Sequence, residues 1–508
     1  MGKNRTASLI SKVVTIGMTL LILWGPQTSH ADEIRLSEKQ LLLRCYAQLT
    51  GERLPVNSSL WSRLNAERAQ NICIELLNSV ALKSDGLLEQ KENFVHRKIL
   101  RQFYDLHRSW FNQQWVLSEN SPEGSTGTVD ILDPTEPSLH ITQALFSQTP
   151  IHYQEVLRGY SHLKTLREPT DSLRSATTGD ILRPSRIYTG AGPFFSTNQV
   201  FVGLDYLATI FYGVNIDILP LGDLIGITTE NSPALNDVWT SVQTPQTMIN
   251  EPNIIRPAPI RNNFGGGAMG SSSYFLLYLG HGVDYRADGA AKLPRRWTES
   301  VLKQFLCKEG PYVRESDAQN FLVTDSAAPP FRQTVACLRC HSTLDQAART
   351  ARNIRLGSSF DYASELKRYT SLVLQYSAVN GYDNSWPSIT NDKYHLTQPS
   401  GRVFFRDRNG ALVDRNVSSI NELGIALSEN EDYYTCVAQK YFSYFTGIEI
   451  NLEYLSSPAN ASSMSAADIE YRDYIKGLGQ ELKGTGSLKK LLVNIIQSGY
   501  YQHAQKER

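Results

Sequence analysis

The sequence predicts a mainly α protein: a helical N-terminal region, an irregular mixed middle region, and a helical C-terminal region carrying one small β-hairpin. Three observations carry that expectation. Apolar residues recur at helical spacing over 36–115 and again from about Pro294 onward. Cap residues flank several of those runs. Between about 129 and 262 the periodicity fades, and Pro, Gly, Ser and Asn collect over 180–203 and 240–262.

Ser37 with Gln40 forms a capping-box pattern, the apolar run Leu41–Leu49 follows, and Gly51 stands where a C-cap belongs. A second helix is expected from about Leu60 to Val80, with Leu64, Ile72, Leu76 and Leu77 near helical spacing. A third contains HRKILRQFYDLHRSWF, with Ile99, Phe103 and Trp110 on one stripe. Ser118–Thr128 reads as a linker or exposed loop. Short helices are expected at Leu139–Phe146 and Tyr153–Arg158, and another around Gln199–Phe211. A helix from near Pro294 carries Trp297, Val301 and Phe305 to Cys307, and Gly310-Pro311 stops it. GRVFFRDRNGALV (401–413) reads as a hairpin turning at Asn409-Gly410. Glu431–Phe445 is a Tyr-rich helix ending at Gly447, and Ser487 caps a last amphipathic helix through Leu488, Leu491, Leu492, Ile495 and Ile496.

The first 31 residues read as a secretory signal. Lys3, Arg5 and Lys12 form a basic start, Val13–Gly25 is apolar, and Ser29-His30-Ala31 offers small residues for cleavage. That apolar run is too short for a comfortable membrane span, and no later stretch is longer. The expected protein is exported, periplasmic or extracellular, with no stable span once the signal is removed. The whole chain carries 50 basic and 50 acidic residues, a balance that gives no electrostatic case for nucleic acid. The expected divisions are 1–31 signal, 32–117 helical N-terminal domain, 129–262 mixed middle region and 263–508 C-terminal domain.

The chemistry concentrates in ACLRCHSTLDQ, where Cys337 and Cys340 stand three apart and His341 follows at once. A c-type haem needs two thiols at that spacing to add across its two vinyl groups, and a histidine beside the second to ligate the iron. A zinc site wants a second Cys/His pair, and the other cysteines are isolated. A thioredoxin-type dithiol wants a βαβ setting, which the surroundings do not offer. The motif therefore predicts one covalent haem c, with Cys337 and Cys340 as thioether residues and His341 as proximal ligand. If those two cysteines are committed, Cys45, Cys73, Cys307 and Cys436 remain, enough for two disulfides by any of three pairings.

Other signals read as background. GGGAMG (265–270) satisfies G-x-G-x-x-G, but the prolines before it exclude the strand that a dinucleotide site requires. It reads instead as a flexible turn, of a kind that lets backbone approach a flat cofactor. His96 and His107 share a helical face, too far apart for one metal, and read as ordinary helix-surface or core-edge histidines.

Six segments in order, RCYAQLTGERLP, LPRRWTESVLKQFLC, CLRCHSTLD, SGRVFFRDRNGALV, TCVAQKYFSYFTG and LLVNIIQSGYYQ, resemble the large exported planctomycete-type cytochrome-c-containing proteins. The likeness is best over 264–503 and thinner over 36–115. It implies that 263–508 is a cytochrome-c-like helical domain, with Cys337, Cys340 and His341 in the haem roles. Asp345 matches the family's acidic position, whereas Gln346 and Ala347 replace its usual Pro and Gly.

The disulfides expected are Cys45–Cys73, joining consecutive helices, and Cys307–Cys436, by likeness to the packing of first and last helices in small cytochromes c. For the distal ligand Met269 and His395 rank level, His281 follows, and an open site is a further alternative; Met464 lies in a loop-like Ser/Ala-rich stretch. The expected function is single-electron transfer with a redox partner protein or a small-molecule electron donor or acceptor. The alternatives are a peroxidase-like haem enzyme and a non-catalytic surface or binding protein.

Overall fold

A computed structural model describes residues 35–111, 127–130, 136–167, 186–189, 210–211, 214–215, 223–231, 263–271, 274–275, 278, 292–326, 330–352, 354–360, 368–374, 398–452 and 465–503. The expected signal, most of the linker and much of the middle region lie outside them. The described chain is mainly helical, with small antiparallel two-stranded sheets.

The first helix, α1 (Glu38–Thr50), starts on the Ser37/Gln40 capping box and ends at Gly51, whose backbone is left-handed. The single helix expected over Leu60–Val80 is two pieces, α2 (Leu60–Arg63) and α3 (Ala69–Asn78). The break is held from outside the segment. The Glu38 carboxylate accepts the N–H of Ala69 at 2.6 Å, and the Arg63 guanidinium clamps both Glu67 and Glu75. A fresh helix start is thereby stabilised where periodicity alone suggested continuity. Helix α4 (Phe94–Trp110) is capped by Asn93 and buries Ile99 and Phe103, while Trp110 is only half-buried.

Helix α5 (Glu136–Phe146) starts three residues before the expected Leu139, and the expected helix at Tyr153 is a 3-10 turn, Tyr153–Leu157. Strand β1 (Gly127–Asp130) pairs with β3 (Arg186–Thr189), and β2 (Ser161–Arg167) with β6 (Leu224–Asn231). Of the helix expected around Gln199–Phe211, residues 199–209 lie outside the described set. Ile210–Phe211 forms a short strand, β4, against Val214–Asn215, β5, in keeping with its β-branched and aromatic side chains.

Helix α6 (Lys292–Leu306) buries Trp297, Val301 and Phe305 as its spacing requires. Helices α7 (Glu315–Ala318) and α8 (Val335–Ala348) follow, then the antiparallel pair β7 (Ile354–Phe360) and β8 (Arg368–Leu374). The expected hairpin is β9 (Gly401–Arg406) and β10 (Leu412–Val417). Its loop spans five residues rather than a two-residue Asn-Gly turn, because the Asp407 carboxylate accepts the N–H groups of Asn409 and Ala411. Helices α9 (Ile420–Ser428), α10 (Glu431–Thr446), α11 (Ala466–Thr485), α12 (Leu488–Gln497) and α13 (Gly499–Gln502) complete the chain.

Helix α10 forms the centre of the core, burying Tyr433, Tyr434, Val437, Tyr441, Phe442 and Phe445. One continuous hydrophobic cluster runs from Leu41 to Tyr501 and so crosses the expected boundaries at 117 and 263. Polar contacts make the same crossing. Arg44 and Gln48 of α1 donate to the Phe445 carbonyl, at 2.7 and 2.9 Å, and satisfy the otherwise orphaned C-terminal end of α10. The N-terminal helices therefore share one core with the C-terminal ones, and composition carries no trace of such long-range packing. No helix among the described residues is long and apolar enough to cross a membrane.

The two helical histidines are structural. His96 and His107 are both buried; the former lies 3.0 Å from Ser79 Oγ, the latter 2.8 Å from Thr142 Oγ1 and 2.6 Å from the Tyr441 hydroxyl.

Candidate haem-attachment site

Helix α8 is built from good helix formers, including Ala336, Leu338, Arg339, Leu344, Gln346 and Ala347. It packs against α6 and β9 through Leu338, Thr343 and Ala347, with the Thr343 hydroxyl donating to the Phe404 carbonyl at 2.5 Å. The helical repeat then decides the rest. Positions 337, 340 and 341 are related as i, i+3 and i+4, so two thiols and an imidazole share one face of α8.

All six cysteines fall within the described residues. Cys45 is joined to Cys73 and Cys307 to Cys436, whereas Cys337 is an exposed free thiol and Cys340 a half-buried one. Burial raises the Cys340 thiol above its ordinary value, with Arg339 partly opposing. That is the reverse of the activated thiolate that a dithiol oxidoreductase needs. The backbone at Gly310 lies against this sulfur, so close that a Cβ there would stand 2.7 Å from Cys340 Sγ.

His341 is held by its surroundings. Its ring centroid lies 4.5 Å from that of Phe331, and its Nδ1 lies 3.4 Å from Oδ1 of Asp345, one turn further along α8. Asp345 in turn accepts from Arg295 of α6, Nε to Oδ1 at 2.5 Å and Nη2 to Oδ2 at 3.2 Å. Nε2 has no hydrogen-bond partner among the described residues. These groups have the chemistry a covalent haem would require: two unbonded thiols to add to its vinyl groups, and an imidazole whose Nδ1 faces a carboxylate and whose Nε2 would be the ligating nitrogen. Among the described residues no group of three or more His, Cys, Asp or Glu side chains could hold a metal ion by itself.

The distal ligand is a different matter. Met269 is fully buried in the core, beside Gly266, and its carbonyl accepts from the Trp297 indole at 2.8 Å. The turn that carries it packs mainly on α5, α9 and the Tyr153–Leu157 turn. The three glycines before Met269 lie against protein atoms: a Cβ on each would meet Tyr160, Met269 or Val156 within 3 Å. They let protein backbone come close: Gly267 has φ +56, and a Cβ there would stand 2.2 Å from the Val156 carbonyl oxygen. His281, His395 and Met464 lie outside the described residues.

A separate cleft of about 520 Å³ opens beside the Ser84–Gly86 turn and α5, lined by Asp85, His140, Gln143, Ser147, Arg158 and Thr229 among others. None of its lining belongs to α8.

Arg295 and Phe331 escaped the sequence reading, Gly310 entered it only as a helix stop, and Asp345 only as a matching position. Each lies on an element other than α8 or gains meaning only through one that does. Helical spacing relates only Asp345 to His341, as i and i+4; no spacing rule within the motif points to the other three. No protein-family model matches this chain, and neither a curated protein nor a solved structure matches it.

Proposed function

We propose that this chain is an exported monohaem c-type cytochrome-like protein that passes single electrons to a partner protein or a small donor or acceptor. In this reading, 263–508 is a cytochrome-c-like region of the planctomycete type. Cys337 and Cys340 supply the thioether sulfurs and His341 Nε2 the proximal ligand. The observation that carries the reading is the partition of the cysteines: four are closed in two disulfides, while the two left free stand on one helix face beside a histidine.

The haem, when bound, supplies the one-electron couple; the protein's part is to hold, orient and bury it. Helix α8 fixes the three attachment residues in register. Phe331 and Asp345 limit rotation of the His341 ring. The Cys307–Cys436 disulfide ties the segment before the motif to the central helix α10.

A haem redox enzyme is the second reading, favoured by the Asp345 carboxylate behind His341, since a carboxylate on the outer nitrogen makes an axial imidazole a stronger electron donor. The deciding experiment is maturation in a host that attaches haem in its oxidising compartment, followed by haem staining of a denaturing gel and spectra before and after dithionite. A stained band that is lost in Cys337→Ser with Cys340→Ser is the expected result. An unstained wild-type band leaves only the binding-protein alternative. Added peroxide and carbon monoxide then separate carrier from enzyme.

A further inference from the structure

The proximal side of the site holds more than a ligand. His341, Asp345 and Arg295 form a chain of polar contacts across two helices: imidazole Nδ1 to Oδ1 at 3.4 Å, then Oδ1 to guanidinium Nε at 2.5 Å. The second guanidinium arm reaches Oδ2 at 3.2 Å, and Arg332 lies 4.0 Å from the same oxygen. Asp345 is 18% exposed and Arg295 25%, which sets the chain apart from a freely solvated surface pair. Phe331 gathers the same groups, with its ring 4.5 Å from that of His341 and 5.1 Å from the Arg295 guanidinium carbon.

Resting on the haem reading above, we propose that Asp345 is a positioning residue that takes the Nδ1 proton of His341 in a hydrogen bond, and that Arg295 limits how strongly it does so. The argument is one of shared lone pairs. A carboxylate on the outer nitrogen fixes the tautomer, aims Nε2 at the iron and makes the imidazole a stronger donor. A stronger axial donor favours the ferric form and lowers the reduction potential. Oδ1 is also the acceptor for Arg295 Nε, so the guanidinium draws on the same oxygen and weakens that donation. The potential is thus set between an acid on α8 and a base on α6, residues fifty positions apart.

The bland alternative is an i,i+4 contact that stabilises α8 and does nothing to a haem. Two variants of the full, haem-loaded protein separate the two. Asp345→Asn removes the anionic acceptor; Arg295→Lys keeps the positive charge but loses the planar two-armed contact. The readouts are haem stain, midpoint potential, and the hyperfine-shifted ring-proton resonances of the axial histidine in the ferric protein. Asp345→Asn should raise the potential and Arg295→Lys should lower it, with ring-proton shifts moving in opposite senses. Should Asp345→Asn fail to load haem, Arg295→Lys carries the test alone, because a through-space charge effect predicts no change there. Haem-loaded variants with unaltered potential and resonances overturn the proposal while leaving the haem reading standing. An unstained wild-type protein overturns both.

Discussion

Cys307 and Cys436 are joined across 129 residues of sequence, with Cα atoms 5.3 Å apart, and Cys337, Cys340 and His341 lie inside the closed loop. The bond ties the end of α6 to α10, a largely buried helix of the core. Chain entropy predicts that closing so long a loop stabilises by about 4–5 kcal/mol, against about 3–4 kcal/mol for the shorter Cys45–Cys73 loop.

Replacing both Cys307 and Cys436 by Ala should therefore lower stability more than replacing Cys45 and Cys73, by about 1 kcal/mol in urea unfolding at equal m-value. Non-reduced peptide mapping checks the pairing itself. A peptide linking Cys45 to Cys436 would sink it.

Met269 and Trp297 give the second prediction. The Trp297 side chain is fully buried, stacks on Phe275 at 5.1 Å and donates to the Met269 carbonyl. Trp297→Phe keeps a ring in the core but leaves that carbonyl without its donor, a loss of about 1–3 kcal/mol. Met269→Leu conserves volume and should cost less than about 1.5 kcal/mol. It should also leave the ferric spectrum of the haem-loaded protein unchanged. Loss of a sulfur-to-iron band at the red end would instead identify Met269 as the distal ligand.

Gly310 gives the third. A methyl group placed there would stand 2.7 Å from Cys340 Sγ, and a sulfur held in a thioether cannot swing aside as a free thiol can. Gly310→Ala should reduce covalent haem incorporation several-fold, read as stain per unit of protein. Gly484→Ala, with nothing within 4 Å of its Cβ, should leave incorporation at the wild-type level. Equal staining in both would show that the Gly310 approach is incidental.

What was legible in the sequence was local. Ser37 with Gln40, Gly51, and Ser487 before Leu488 are cap signals that act within one turn, and the helices begin and end on them. The spacing of Cys337, Cys340 and His341 was legible too, but the helix α8 that turns it into one shared face was not among the expected elements. What stayed hidden was carried by partners distant in sequence. Helix α3 starts where Glu38 accepts the Ala69 N–H, and α10 ends where Arg44 and Gln48 donate to the Phe445 carbonyl. Arg295 stands fifty residues before the Asp345 it clamps, and nothing in either neighbourhood advertises the pair. The glycines before Met269 show a related limit: close approach is written in them, but one object of it, the Val156 carbonyl, is not.

Buried histidines give the last prediction, a loss of stability in mild acid. Thr142 spends its hydroxyl proton on the Ser138 carbonyl, so its oxygen accepts the Nδ1 proton of His107, and the Tyr441 hydroxyl donates to Nε2. The neutral ring is fully satisfied; protonation would set Nε2–H against the Tyr441 hydroxyl. Burial, helped by the charge of Lys440, pushes His107 down to about 3, and burial brings His140 down to about 4, partly offset by Glu136. Both folded values lie below the ordinary 6.5, so in that interval the unfolded chain binds more protons than the native one. The stabilisation from neutral His107 and His140 is thus present above about pH 6.5 and is lost as pH falls toward the folded values, by about 1–2 kcal/mol per histidine between pH 6.5 and 5. Urea unfolding at pH 7 and pH 5 should show the drop. His107→Gln, whose amide stands in for Nε2 towards Tyr441 but does not titrate, should be less stable at pH 7 and lose less on acidification. If its pH dependence equals the wild type's, His107 is not the group that titrates.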